Sequence, residues 1–188
     1  MTPRGFALFD TAVGTCAAAW SDRGLVGVQL PESSAADTRA RVIERFPTAT
    51  ELIPPPDVQQ AIERIVALLQ GAPVDLSGLP IDMDDVPAFD RRVYEVARTI
   101  PPGSTLTYGA IAAAMGAPGA ARSVGRALGR NPLAIVVPCH RVVAADGKPG
   151  GFSAGGGVAT KLRLLSIERE GRGVGLPLFS GSSHTQGR

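Results

Sequence analysis

Pro138-Cys139-His140-Arg141 sets a thiol, an imidazole and a guanidinium side by side between two apolar runs, Ala134-Ile135-Val136-Val137 and Val142-Val143. A thiol becomes a strong nucleophile when a nearby base or positive charge favours the thiolate, and His140 and Arg141 offer both. Taken alone, a Cys beside a His in a core-forming stretch reads more readily as a buried thiol with a locally satisfied imidazole. Polarity speaks against that plainer reading, because three consecutive polar or ionisable residues are costly to bury unless they pair or work. The other cysteine, Cys16, lies in a strand pattern beside Ala17, Ala18 and Ala19, where a small buried hydrophobe is the natural reading. Two cysteines so far apart suit a reducing compartment better than a disulfide framework.

Short helices must position this segment. Ala88 to Thr99 has helical character and is stopped by Pro101-Pro102-Gly103; Thr107 then caps a helix from Tyr108 to Met115, which Gly116 breaks. A further helix runs from about Gly119 to Arg130. Two short helices around a Gly-Ala-Pro turn form a helix-turn-helix pattern, though many helical hairpins share it and bind nothing. Arg122, Arg126 and Arg130 recur every fourth residue and place three guanidiniums on one face. Ala120, Ala121, Gly125 and Ala127 add little bulk, so this helix can approach a groove closely.

The preceding half reads as a small α/β unit. Phe6-Ala7-Leu8-Phe9, Thr15 to Trp20 and Gly24 to Leu30 are strand-like, with Asp22-Arg23-Gly24 as a turn. Ala35 to Phe46 and Val58 to Leu69 carry apolar residues at helical spacing; Pro54-Pro55-Pro56 precedes the second, with Asp57 as its expected N-cap and Gly71 closing it. No catalytic constellation is visible there. Charge divides the chain near Val86: residues 1–86 hold six Arg against twelve acids, a balance of −6, and the remainder holds thirteen Arg and Lys against five acids, a balance of +8. Such a split is compatible with chance, but cations that are nearly all Arg favour a phosphate-bearing partner. The expected organisation is an N-terminal α/β unit over 1–86, a mainly α unit over 87–170, and a loose Gly/Ser-rich tail over 171–188.

With 44% hydrophobic and 19% charged residues the composition is that of an ordinary globular protein, without the signature of disorder or an apolar run long enough to cross a bilayer. The N-terminus lacks the apolar stretch and cleavage site of a secretory signal, so a cytoplasmic location is expected. No cofactor is implied.

The stretch Asn131-Pro132-Leu133-Ala134-Ile135-Val136-Val137-Pro138-Cys139-His140-Arg141-Val142-Val143 closely resembles the active-site signature of the O6-alkylguanine-DNA alkyltransferases, also called methylated-DNA–protein-cysteine methyltransferases. The likeness extends upstream through Thr107-Tyr108-Gly109 and Ala120-Ala121-Arg122-Ser123-Val124-Gly125, and downstream to Lys161, Leu164-Leu165 and Glu168. It is strong over about half the chain, while the N-terminal part resembles the family's ribonuclease-H-like domain only in layout.

The resemblance implies single-use repair of double-stranded DNA: the alkyl group of O6-alkylguanine moves to Cys139, with O4-alkylthymine open as a further substrate. A soft thiolate suits attack at carbon, and the thioether product has no good leaving group, so one molecule repairs one lesion. The proton passes through a water to His140, which Glu168 orients; read without the family, Glu168 is a solvent-facing helix acid. Asn131 matches the residue that braces the bend between recognition helix and active site. Because the target lies inside a duplex, the nucleotide must flip out, at a cost of roughly a few kcal/mol. Arg122 matches the finger that fills the gap, Ala120, Ala121 and Gly125 let the helix sit in the minor groove, and Tyr108 matches the tyrosine that crowds the flipped phosphate and supplies a proton to guanine. Phe152 stands where an aromatic lines the base pocket, and the carbonyls of Cys139 and Val142 would meet the guanine amino group. A phosphate-dominated interface implies strong salt dependence, and a monomer is expected, with cooperative assembly on DNA open.

Two departures stand out. After Gly150-Gly151-Phe152-Ser153 the loop Ala154-Gly155-Gly156-Gly157 is about two residues longer than the pattern, which leaves Ser153 as an O6 contact open and allows a more mobile loop or roomier pocket. Some family members hold an N-terminal zinc, but this half offers one Cys and no His, so no metal is expected. Competing readings are a non-catalytic binder of alkylated DNA, disfavoured because the cysteine is present, and a thiol hydrolase on a small substrate, disfavoured by the helix-turn-helix pattern.

Overall fold

The alternating runs at the start of the chain pair as an antiparallel meander in a computed structural model, which describes residues 4–171. Its strands are β1 (Gly5–Thr11), β2 (Gly14–Ser21) and β3 (Gly24–Gln29). Register is set opposite Leu8↔Ala17 and Phe9↔Cys16, with an irregularity at Ala19/Trp20. Gly24 sits at φ +134, and a Cβ there would come within 2.5 Å of the Pro80 carbonyl oxygen, so only glycine lets the residue 80–82 linker pair beside β3. A fourth strand, β4 (Thr50–Glu51), adds parallel to β1 and gives the order β3-β2-β1-β4. Two residues are too few to show alternation, so this strand left no signal in the sequence.

Helix α1 (Ala35–Arg45) begins on Ser34, whose hydroxyl accepts from the Asp37 amide. Helix α2 (Pro56–Leu69) begins two residues earlier than its apolar spacing suggests, and the expectation for Asp57 is corrected: Pro55 holds the cap position without a side-chain bond, and Asp57 lies in the first turn. Proline is preorganised at the first helical position because its missing N–H would be unpaired there anyway.

The second half contains α3 (Ala88–Arg98), β5 (Leu106–Thr107), α4 (Tyr108–Ala114), α5 (Ala121–Gly129), a 3-10 turn (Cys139–Arg141), β6 (Val142–Val143) and α6 (Gly157–Gly171). Thr107 caps α4 as expected, accepting from Ala110 N at 3.0 Å, and Gly116 ends it at φ +69. The chain is thus mixed α/β with six helices among the described residues. One apolar cluster runs through both halves: Leu25, Val28 and Ile65 pack with Val93, Ile111 and Leu133. Val28 N also donates to the Pro132 carbonyl at 2.9 Å, tying β3 to the segment that carries the thiol. The expected tail falls outside the described residues except Gly171, which belongs to α6. Among the described residues no helix is long and apolar enough to cross a membrane.

Candidate active site

Residues 131–138 are largely buried, as their apolar character requires, but they form a tight loop with an isolated Ala134↔Val137 bridge and not an extended strand. Ile135 adopts φ 71, a left-handed conformation costing a β-branched residue on the order of 1–3 kcal/mol. Asn131 holds this strained loop at both ends, donating Nδ2–H to the Val137 carbonyl and accepting from Leu133 N, each at 2.9 Å. Arg45 in turn donates to the Asn131 carbonyl at 3.3 Å. That contact spans 86 positions and has no local sequence signal.

The loop delivers Cys139, half-buried, to the start of the 3-10 turn. The next two residues, His140 and Arg141, are buried. His140 is 1% exposed, and its Nε2 meets Glu168 Oε1 at 2.8 Å. A carboxylate only accepts, so Nε2 carries the hydrogen and Nδ1 is left as the acceptor. Nδ1 is buried with no hydrogen-bond partner among the described residues, which leaves it free to take a proton. Burial holds His140 below its ordinary pKa despite the pull of Glu168, so the ring rests neutral.

Arg141 does not serve the thiol as its position beside Cys139 suggested. Its Nε and Nη2 grip Glu168 at 3.0 and 2.7 Å, and Nη1 donates to the Ile100 carbonyl at 2.5 Å, so its charge is matched by the buried carboxylate. Glu168 also accepts from Gly103 N at 2.9 Å. Burial alone would raise the Glu168 pKa, but the bonds and charges of His140 and Arg141 outweigh it and bring it down to about 2. The solvent-facing reading of Glu168 is therefore corrected: it is 5% exposed. A signal for this was present, since Lys161, Leu164, Leu165 and Glu168 share the i, i+3, i+4, i+7 spacing of one buried stripe of α6.

The cation nearest in effect to the thiol is Lys161, fully buried, whose Nζ donates to the Val142 carbonyl at 2.5 Å and lies 5.9 Å from the Tyr108 ring centroid. Burial raises the Cys139 pKa above that of a free thiol, although Asn131 and Lys161 pull the other way. The sulfur therefore rests protonated and needs a base to become nucleophilic. Modification of Cys139 by iodoacetamide should accelerate with pH up to and beyond the ordinary thiol value of 9.0 without levelling; a rate that levels off under neutral conditions would contradict the protonated resting thiol.

Above the sulfur opens a cavity of 720 Å³, walled by Tyr108, Arg122, Gly125, Phe152 and Ser153 together with Cys139 itself. Gly150, at φ +65, passes so close to Tyr108 that a Cβ would lie 2.9 Å from the phenol oxygen. Burial raises the Tyr108 pKa, so the phenol keeps its proton. Of the three arginines of α5, Arg122 makes no hydrogen bond or ion pair among the described residues, Arg126 bonds Ser123, and Arg130 grips Asp90 at 2.9 and 3.0 Å. The expectation of one arginine face is thus narrowed: Arg130 caps the helix end and is spent on Asp90. Ala121 lines the cavity, whereas Ala120, at the N-cap of α5, does not. Val142 is fully buried away from it with its carbonyl on Lys161. The glycine-rich loop lies against the N-terminal half, where a Gly155 Cβ would meet the Pro31 carbonyl oxygen at 2.8 Å.

Comparison with known proteins identifies the family. Residues 88–170 match the family model described as 6-O-methylguanine DNA methyltransferase, DNA binding domain. The chain is 48% identical over 120 residues to a methylated-DNA–protein-cysteine methyltransferase of Mycolicibacterium paratuberculosis, covering 63% of this chain and 70% of the relative. It is 36% identical over 149 residues to one of Methanothermobacter thermautotrophicus, covering 79% and 76%. A crystal structure of Mycobacterium tuberculosis OGT in complex with DNA superposes with a TM-score of 0.70 at 34% identity, covering 89% of this chain and 94% of that one. With that identity over that coverage, the chain belongs to the methylated-DNA–protein-cysteine methyltransferase family.

Proposed function

We infer that this protein repairs DNA by direct reversal, taking the alkyl group of O6-alkylguanine onto Cys139 in a reaction that consumes it. The observation that carries the reading is a half-buried thiol at the floor of a nucleotide-sized cavity, backed by a neutral imidazole whose other nitrogen is fixed on a buried carboxylate. The Cys139 proton moves to His140 Nδ1 through a bridging water, and Glu168 stabilises the imidazolium that forms. Sulfur attacks the alkyl carbon as the carbon–O6 bond breaks, and the electron pair leaves on guanine, which takes a proton from Tyr108. The thioether has no leaving group that water can displace, so turnover stops.

The same reading gives DNA handling to residues 87–170. In it α4 and α5 act as a helix-turn-helix that enters the minor groove, with Ala120, Ala121 and Gly125 admitting the groove wall. Arg122, free of protein partners among the described residues, fills the place of the flipped nucleotide. Phe152 packs on the base, and Ser153 is a polar contact to it. Asn131 acts through the loop it braces, and residues 1–86 form a ribonuclease-H-like unit that supports that loop.

The deciding measurement is the intact mass of the protein after incubation with excess duplex containing O6-methylguanine. One added methyl on Cys139 with no turnover is expected; tight binding at unchanged mass would mean a lesion binder, and repeated turnover a hydrolase. Arg122→Ala should slow repair of duplex DNA by roughly tenfold or more, the share of a flipping step worth a few kcal/mol, yet leave reaction with free O6-benzylguanine near the parent rate. Equal losses on both substrates would remove its flipping role.

A further inference from the structure

Cys139 borders a second cavity, of 190 Å³, between the C-terminal end of α5 and the β3–α1 side of the molecule. Gln29 at the end of β3, Glu32 in the following linker, and Arg41 and Arg45 of α1 face Asn131 and Ala154 across it. The two cavities share Gly129, Cys139, Phe152 and Ser153, so the sulfur and the pocket loop form the partition between them. A cavity of about 150 Å³ is enough to hold benzene. The second cavity therefore has room for a group of butyl or benzyl size.

Its wall is also polar. Arg45 donates to Gln29 Oε1 at 3.2 Å and to the Asn131 carbonyl at 3.3 Å, and Gln29 Nε2 donates to Glu32 Oε1 at 3.0 Å. Arg45 thus meets neutral acceptors and makes no ion pair among the described residues, although it is half-buried, and burial holds its pKa below the ordinary value. A guanidinium has five donors, and those left over suit an acceptor entering the cleft. In an in-line displacement, sulfur and O6 lie on opposite sides of the reacting carbon, so a longer alkyl chain must leave sideways. With the base filling the first cavity, the space beside the sulfur is the second.

We propose that this interdomain cleft receives the distal part of alkyl groups longer than methyl, chains of about four carbons that end in a hydrogen-bond acceptor. Specificity for the alkyl group is then set by β3, its linker and α1, outside the half that carries the thiol. The proposal rests on alkyl transfer to Cys139 as argued above. The covalent step is unchanged: the sulfur–carbon bond forms, the carbon–O6 bond breaks with its electron pair leaving on guanine, the thiol proton goes to His140, and the chain stays on sulfur.

Transfer rates from duplex DNA carrying O6-methyl, O6-butyl or O6-(4-hydroxybutyl)guanine test this in the parent and in Ala154→Leu, a position that lines the second cavity and not the first. The parent should take hydroxybutyl faster than butyl. Leucine should slow hydroxybutyl transfer at least tenfold while methyl transfer stays within about twofold. Equal slowing of both groups, or of neither, would overturn the proposal. A second measurement needs no variant: a chain ending in a diazirine is transferred to the parent protein, irradiated, and its crosslink mapped by mass spectrometry. Crosslinks within 29–32 or 41–45 are expected, and crosslinks confined to Tyr108 or 121–128 would overturn the cleft. Failure to accept even the methyl group would instead sink the transfer reading beneath it, whereas methyl transfer without transfer of the longer chain sinks the cleft alone.

Discussion

Cys139→Ser should abolish alkyl transfer, with a loss of at least ~10³-fold in the single-turnover rate. Oxygen is a harder nucleophile than sulfur and its hydroxyl is far less acidic, so neutral His140 cannot generate an alkoxide. The substitution changes one atom of a half-buried side chain and touches none of the bonds that Asn131, His140 and Arg141 make to Val137 and Glu168. Affinity for duplex containing O6-methylguanine should therefore stay within about a factor of two or three, or ~0.5 kcal/mol. Mass spectrometry and a binding titration on the same preparation check both halves. Methyl transfer to the Cys139→Ser protein would remove Cys139 from its role, and loss of binding along with transfer would show that the substitution had disturbed the loop.

Glu168→Gln has the other large expected effect, and it is felt first in stability. The carboxylate is the charge partner of buried Arg141, and removing one member of such a pair costs about 3–5 kcal/mol because the other is left uncompensated. For a chain of this length that corresponds to a fall in Tm of roughly 6–20 °C at neutral pH. The pH dependence has a definite sign. The folded pKa of Glu168, about 2, lies below its ordinary 4.5, so its contribution is complete above pH 4.5 and is lost as pH falls toward 2. The gap in Tm between parent and variant should therefore narrow as pH falls below 4.5, and a gap that stays constant from neutral pH down toward 2 would contradict the assignment. Transfer should also slow, by roughly 10²-fold, since an amide neither fixes the His140 tautomer nor stabilises the imidazolium.

Much of this centre was legible before any fold was known, but unevenly. Thr107 as a cap, Gly116 as a breaker and the α4 and α5 limits follow from local chemistry, because capping and left-handed glycine act over three or four residues. The thiol was suspect because polar residues interrupt an apolar stretch. What stayed hidden depends on long-range approach: Arg45 reaches Asn131 across 86 positions, and Arg141 reaches Glu168 across 27. Adjacency in sequence misled at Arg141, where a 3-10 turn sends neighbouring side chains in different directions. Spacing was informative at Glu168 but was overridden by its charge, since an acid on a buried stripe invites an exposed reading unless its partners are known.

Helix α6 brings Lys161 to the Val142 carbonyl and Glu168 to His140 and Arg141, so the partners of the catalytic turn come well after the thiol along the chain. During synthesis, then, the cysteine emerges from the ribosome before the residues that give it a relay. A nascent chain paused ahead of α6 carries an ordinary thiol with an unanchored imidazole beside it. The protein is spent by one reaction, and the thiol gains the relay for that reaction only once α6 has packed behind the catalytic turn.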